Sequence, residues 1–291
     1  MFSYDSAFSR NIGWVTEQEQ ALLRGKRVAV GGLGGTGGQH VLTLARLGIG
    51  AFQLADFDRF EVANMNRQAG AFVSTLGEPK AAVVAAMARD VNPGVSLGVF
   101  DEGIHAGNVD AFLDGVDLYV DALDFFAFEA RKLVFRACAA RGIPAITAAP
   151  LGMTVALVAF VPGGMTFDEY FRLDDGPPEE APLRLLVGLA PALLQRHHLV
   201  DASRVRLHDK AGPSLGAACQ LCAGMAAVEA LKILLGRGKV AAAPYATQLD
   251  AYEHRLVRTY RPWGNRHPLQ RLAMALVRSQ LRRPRTPILA A

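Results

Sequence analysis

Apolar residues recur along this chain at two alternating periods, and the alternation predicts its architecture. Arg27-Val28-Ala29-Val30 is a short β-branched run, and apolar residues return at helical spacing through Val41, Leu42, Leu44, Ala45 and Leu47. Between the two stand six glycines in the eight residues from Gly31 to Gly38. This reads as strand, glycine turn, helix. Gly48 and Gly50 end the helix, and Ala51-Phe52-Gln53-Leu54-Ala55 supplies the next strand, which makes a right-handed βαβ unit. The alternation continues with a helix over 80–90, strands near 95–100 and 118–120, a helix near 129–140 and a strand at 145–147. Such repetition predicts an α/β fold with a doubly wound, mainly parallel, Rossmann-like sheet. The apolar run 154–161 has no helix before it and is expected to lie antiparallel at one side of that sheet.

Beyond this point the pattern loosens. Gly176-Pro177-Pro178-Glu179-Glu180-Ala181-Pro182 is proline-rich punctuation before an amphipathic segment from Leu183 to Leu199 and a less periodic stretch to Gly216. We read a crossover insert over the site. A helix over 217–235 stopped by Gly236, a hairpin at 245–251 and 254–260, and an amphipathic tail helix over 268–283 follow. The divisions are an N-terminal helical arm (1–26), a nucleotide-binding domain (27–162), the crossover or substrate insert (163–215), a helix and hairpin completing the fold (216–262) and a basic tail (263–291).

Composition narrows the class. With 291 residues, 51% hydrophobic and 20% charged, the chain has apolar material for one large α/β domain, which excludes disorder as the default. No transmembrane segment is expected, because no run of eighteen residues lacks polar groups, and the first residues lack the layout of an export signal. The only cysteines are Cys138, Cys219 and Cys222, too few for a disulfide scaffold, so a cytoplasmic location is expected. The net charge of +4 is unevenly placed: from Ala251 to Ala291 nine arginines face one acid, Glu253.

The glycine turn carries the first chemical signal. Gly32, Gly34 and Gly37 satisfy G-x-G-x-x-G, and Asp56 stands at the end of the next strand. Backbone N–H groups and a helix N-terminus then hold phosphate, Gly32, Gly34 and Gly35 allow its close approach, and the carboxylate takes ribose hydroxyls. Alone, this marks a nucleotide and not a reaction. An NAD(P)-dependent oxidoreductase would use the same turn.

The segment Asp56-Phe57-Asp58-Arg59-Phe60-Glu61-Val62-Ala63-Asn64-Met65-Asn66-Arg67-Gln68, followed by Gly77-Glu78-Pro79-Lys80 at a helix start, resembles the ThiF/MoeB/ubiquitin-activating-enzyme superfamily of adenylyltransferases. The resemblance covers about 10–162 and resumes over 217–260. It implies ATP-dependent activation of a carboxylate as its acyl-adenylate, on a carrier-protein or peptide terminus. Asp56 would seat the ribose, with Asp58 among the nucleotide-binding residues, and Asn64, Arg67 and Lys80 would handle the triphosphate. Arginine and lysine suit that task, because the α-phosphate transition state gathers negative charge that fixed cations stabilise without rearrangement. Val120-Asp121-Ala122-Leu123-Asp124 resembles the family's Asp-x-x-Asp, which makes Asp124 the candidate Mg²⁺ ligand, although Phe125 stands where the family usually has asparagine. Phe8-Ser9-Arg10-Asn11 resembles the family's N-terminal Arg-Gln segment, which implies a homodimer with Arg10 reaching the partner's ATP. A relative in this superfamily dehydrates a modified adenosine in tRNA, so RNA stands among the substrates; a nucleotide-binding module without catalysis is the non-enzymatic reading.

Three features lie outside that core. Some family members place a thioester-forming cysteine near Cys219, and a cysteine at a helix N-terminus is expected to have a lowered pKa. Zinc is the rival reading, with one C-x-x-C pair, Cys219 and Cys222, completed from His197, His198 or His208, while packed apolar thiols are the bland one, and certainly suit Cys138. The histidine pair 197–198 is expected to be structural or solvent-facing. The tail arginines, near Tyr260 and Trp263, would grip RNA, an anionic membrane surface or an acidic partner, or form a solvated face.

Overall fold

The computed structural model describes residues 2–201, 204–205 and 212–282, the last three by backbone alone. An arm of two helices, α1 (Tyr4–Phe8) and α2 (Glu17–Gly25), leads into β1 (Arg27–Gly31), α3 (Gly37–Arg46), β2 (Ala51–Ala55), α4 (Lys80–Val91), β3 (Ser96–Phe100), α5 (Val109–Phe112), β4 (Leu118–Asp121), α6 (Phe128–Arg141), β5 (Ala145–Leu151) and β6 (Thr154–Phe160). The insert contributes α7 (Phe167–Phe171) and α8 (Ala181–Leu189). The chain closes with α9 (Gly216–Leu235), β7 (Tyr245–Asp250), β8 (Arg255–Tyr260) and α10 (Pro268–Arg282).

The eight strands of the described residues join one sheet in the order β3-β2-β1-β4-β5-β6-β7-β8. The first five are parallel, and β6, β7 and β8 continue antiparallel from β5, so the expected side strand lies inside the sheet. Strand order reverses between β1 and β4, whose carboxyl ends flank the crevice where sheets of this kind bind ligands.

Alternation along β1 separates two cores. Val28 and Val30 point to one face and Ala29 to the other, as a period of two requires. The first core joins α3, α4 and α9 to the sheet; the second lies under α5, α6, α7 and α8. Leu118, Tyr119 and Val120 of β4 are all fully buried, each aliphatic side chain stabilising the fold by roughly 1.5–3 kcal/mol. Helix α9 has the length and hydropathy of a membrane span, yet Cys219, Cys222, Ala226 and Ala230 are buried against β5, β6 and α3.

The insert departs from the expected continuous segment at 183–199. Helix α8 stops at Leu189, ahead of Pro191, which has no N–H to give, and Leu193 takes a left-handed turn at φ 52°. The chain re-forms only one turn, Leu194–His197. His198 is then buried: its Nδ1 accepts from the Met153 N–H at 3.4 Å, and its Nε2 lies 3.2 Å from Asp250 Oδ2. Beside it Gln248 Nε2 donates to both Gln195 Oε1 and Thr154 Oγ1. This polar cluster rivets the insert to the ends of β6 and β7. His198 is structural.

Candidate active site

The glycine turn follows β1 at the reversal point. Gly32 has φ +84°, and a Cβ there would lie 2.3 Å from the Ala122 carbonyl oxygen; a Cβ on Gly37 would lie 1.8 Å from the Gly32 oxygen. Those two glycines are required by the fold. Gly34 and Gly35 are different. A Cβ on Gly34 would meet only Gln68 Nε2 at 3.7 Å, and one on Gly35 would meet Cys219 Sγ at 3.2 Å and Arg67 Cγ and Cδ at 3.6 Å. The backbone at Gly34 is therefore bare, while Gly35 is flanked by Cys219 and the Arg67 stem, and α3 begins at Gly37 behind them.

Asp56 fixes the turn from the neighbouring strand. Its Oδ2 accepts from the Leu33 N–H at 2.6 Å and its Oδ1 from the Asp58 N–H at 2.8 Å. Burial pushes this carboxyl above its ordinary value, against the lowering by those two N–H groups and by the Lys80 charge.

The excursion after β2 returns on itself. Phe60 N–H donates to Glu78 O, Gly77 N–H to Phe60 O, and Lys80 N–H to Asp58 O, so residues 58–60 and 77–80 form a short antiparallel ribbon. This geometry places Lys80, 5% exposed at the start of α4, with its Nζ 2.9 Å from Asp58 Oδ2. Within the enclosed loop, Asn64 Oδ1 accepts from the Glu61 N–H, and Arg67 donates to Ala63 O and Asn66 Oδ1 at 2.9 Å. The stem of Arg67 lies over Gly35. Gln68 is buried, and its Oε1 has no partner among the described residues.

The third wall is the end of β4. Asp121, 2% exposed, accepts from Thr147 Oγ1 at 2.8 Å and from Arg131 Nε at 2.9 Å. Arg131 also donates to the carbonyls of Leu123, Asp124 and Phe125, which fixes the loop that abuts Gly32. Asp124 is exposed at its tip: Oδ1 accepts from the Phe126 N–H at 2.9 Å, and Oδ2 takes no hydrogen bond among the described residues. One free carboxylate oxygen beside a phosphate cradle fits Mg²⁺, which completes its shell with phosphate oxygens and water. Phe125, Phe126 and Phe128 form an edge-to-face group with centroids 5.1–6.3 Å apart where asparagine is usual in the resembled family.

Cys219, in the first turn of α9, is brought to the glycine turn. Asn66 Nδ2 donates to Ser214 O, docking the start of α9 on the Arg67 segment, and Cys219 Sγ lies 3.9 Å from Ser214 Oγ. The expected lowering of its pKa is not found. Burial pushes the thiol up, and the Ser214 hydroxyl and Arg67 only offset part of the rise; Cys222 is pushed higher still. Among the described residues no three His, Cys, Asp or Glu side chains are grouped for a metal, and His208 lies outside the described residues.

Arg10 is not at this site in its own chain. Its neighbour Asn11 donates to the Arg46 carbonyl, and Tyr4 OH donates to Gly48 O, so the arm sits at the far end of α3 from the glycine turn. Ten helical residues, roughly 15 Å, intervene. The basic tail helix α10 packs on α8, where Arg278 pairs with Glu180; Arg282, and Arg283 and Arg285 beyond the helix, fall outside the described side chains.

Sequence reading missed Arg131, Thr147 and Gln68. Gln68 was legible as the residue after Arg67, whereas the Asp121–Arg131–Thr147 set depends on β4 and β5 being neighbours.

A protein-family model, the ThiF family, matches residues 8–272. The tRNA threonylcarbamoyladenosine dehydratase of Bacillus subtilis is 33% identical over 141 residues, 48% of this chain and 55% of that protein. The SAMP-activating enzyme E1 of Haloferax volcanii is 33% identical over 150 residues, 52% of this chain and 55% of that protein. These matches span about half the length of the curated relatives. Among solved structures, Escherichia coli MccB with ATP superposes with a TM-score of 0.65 at 18% identity, covering 89% of this chain and 71% of that one. That likeness concerns the fold.

Proposed function

The chain belongs to the ThiF family, and from that premise we propose that it is an ATP-dependent adenylyltransferase. It joins a carboxylate to AMP. A carboxylate oxygen forms a bond to the α-phosphorus, the bond from that phosphorus to the bridging oxygen breaks, and pyrophosphate leaves. No proton needs to move when the acid is ionised. The observation that carries the reading is the convergence of Arg67 and Lys80, from a loop and a helix start, on a bare glycine turn held by Asp56.

The roles follow from position. Gly34 and Gly35 admit the phosphates, and Asp56 keeps lone pairs for ribose hydroxyls. Arg67 and Asn64 reach the triphosphate, and Lys80 exchanges Asp58 for phosphate oxygens. Asp124 would hold Mg²⁺, which supplies charge neutralisation for the triphosphate. Arg131 positions the Asp124 loop. Cys219 stays a protonated, packed thiol during adenylation; a later thioester on it would require its exposure.

Arg10 serves a partner's site in this reading, because its own site lies beyond the length of α3. Exposed Phe2, Ile12, Trp14 and Leu22 on the same arm support a homodimer that covers them. The three cysteines are free and buried, which supports a reducing compartment such as the cytoplasm.

The acyl substrate is a carrier-protein or peptide terminus. A second reading, a carboxylate on modified tRNA, is favoured by the similarity to the B. subtilis dehydratase. Exchange of labelled pyrophosphate into ATP, run against carrier tails, peptides and tRNA, separates them by which one stimulates exchange. ATP binding with no exchange for any of them would support the non-catalytic module instead. Mixing Arg10→Ala with Arg67→Ala subunits restores exchange if Arg10 acts in trans; two inactive proteins that stay inactive together contradict the dimeric site.

A further inference from the structure

A second cavity, about 500 Å³, lies at the opposite end of the sheet from the glycine turn. It opens where the chain leaves β6 and β8, and Phe160 at the end of β6 pairs with Ala145 at the start of β5. Its walls include Met165, Glu169, Arg172, Pro262, Trp263 and Arg266. The volume falls in the range of ~300–1,000 Å³ usual for small-molecule sites.

Two features of these walls are not used by the fold, a buried nitrogen of Arg172 and the exposed Trp263. Arg172 takes the left-handed region at φ 49° as the C-cap of α7, its N–H donating to the Asp168 carbonyl. Its Nε is buried without a hydrogen-bond partner, and its guanidinium makes no ion pair among the described residues. Trp263 is 60% exposed, with one ring face stacked on His267 at 5.7 Å and 25°. The other cation, Arg266, is already paired with Asp175 at 2.9 Å. Glu169 also faces the cavity; its Oε2 is engaged by the Thr166 N–H and hydroxyl, and these with the Arg172 charge hold its carboxyl below its ordinary value.

The backbone segments that carry Trp263 and Arg172 are docked on each other. Gly264, beside Trp263, has φ +53°, and a Cβ there would lie 2.2 Å from the Tyr170 oxygen. Asn265, 2% exposed, donates through Nδ2 to Phe171 O at 2.6 Å and Arg184 O at 2.8 Å. The turn carrying Trp263 is thus riveted to the helix that ends at Arg172. An aromatic platform and a planar cation with a buried free N–H on the walls of one cavity match a ring that carries an anionic group.

We propose that this cavity binds a nucleoside phosphate unit, with its base stacked on Trp263 and its phosphate held by Arg172. The unit is a free nucleotide or one residue of a single-stranded RNA. The site is separate from the glycine turn and does not depend on the adenylation reading.

The test is quenching of Trp263 fluorescence in a Trp14→Phe background, since the chain has two tryptophans. Trp263 lines this cavity, at the opposite end of the sheet from the glycine turn, so its emission reports this site; the probes, added without ATP, are adenosine, AMP and a short single-stranded oligoadenylate. AMP is expected to quench where adenosine does not. Equal affinity for AMP and the oligonucleotide identifies a free nucleotide; much tighter oligonucleotide binding that weakens as salt rises identifies RNA. Arg172→Gly keeps the backbone in its preferred region and is expected to weaken binding by roughly tenfold or more with no loss of thermal stability. Absence of quenching by AMP and oligonucleotide at millimolar concentration, equal quenching by adenosine, or unchanged affinity in Arg172→Gly overturns the proposal.

Discussion

Arg131 Nε stands 2.9 Å from Asp121 Oδ2, and neither side chain is more than 5% exposed. The pair joins α6 to the end of β4, and the same guanidinium holds the carbonyls of Leu123, Asp124 and Phe125. Its removal from one side leaves a buried carboxylate without its cation. Arg131→Leu is therefore expected to lose about 3–5 kcal/mol of stability by urea unfolding, and Asp121→Leu with Arg131→Leu less than that. A single variant within about 1 kcal/mol of the parent contradicts the pairing as described.

His40 gives the protein an acid sensitivity. It is fully buried in the first turn of α3, neither ring nitrogen has a partner among the described residues, and burial pushes its pKa down to about 4. The unfolded chain takes up this proton as pH falls through the ordinary value near 6.5, while the folded protein resists until about 4. Stability from this group is thus intact above pH ~6.5 and is lost progressively down to about 4, by about 3 kcal/mol. His40→Leu should flatten the melting temperature over that window and raise it at the acid end. A variant whose melting curve keeps the parent's pH dependence would rule this out.

The glycines of the turn separate folding from binding. Gly32→Ala places a Cβ 2.3 Å from a backbone oxygen at a positive φ, so it is expected to destabilise the fold and give little soluble protein. Gly34→Ala meets only the end of the Gln68 side chain at 3.7 Å. It should melt as the parent does, yet bind ATP at least roughly tenfold more weakly in calorimetry, because the methyl occupies the phosphate approach. Undiminished ATP affinity in Gly34→Ala removes the phosphates from this turn.

Much of this was legible in order along the chain. The β-branched run before Gly31 and the helical spacing after Gly37 announced the turn, and Asn64, Arg67 and Lys80 stood at recognisable spacing. The antiparallel β6 was also readable from its missing helix. What failed was local or long-range. Helix α5 has four residues, too few to show a period, and Pro191 with the left-handed Leu193 cut a segment that hydrophobic spacing alone ran together. The depressed thiol expected of Cys219 neglected burial, which in this position exceeds the lowering by Ser214 and Arg67. Lys80 with Asp58 depends on a ribbon between segments about twenty residues apart, and Trp263 with Arg172 on segments from the two ends of the insert and tail. No linear spacing encodes either.

The central claim is that Arg67 acts on the phosphate that is being transferred. It is tested most directly by the rate of labelled pyrophosphate exchange into ATP in Arg67→Ala, at saturating ATP and with the acyl substrate that stimulates the parent. The account predicts a fall of roughly 10²–10³-fold with an unchanged melting temperature, since a fixed cation at the transition state is asked for several kcal/mol. Exchange at the parent's rate would contradict it.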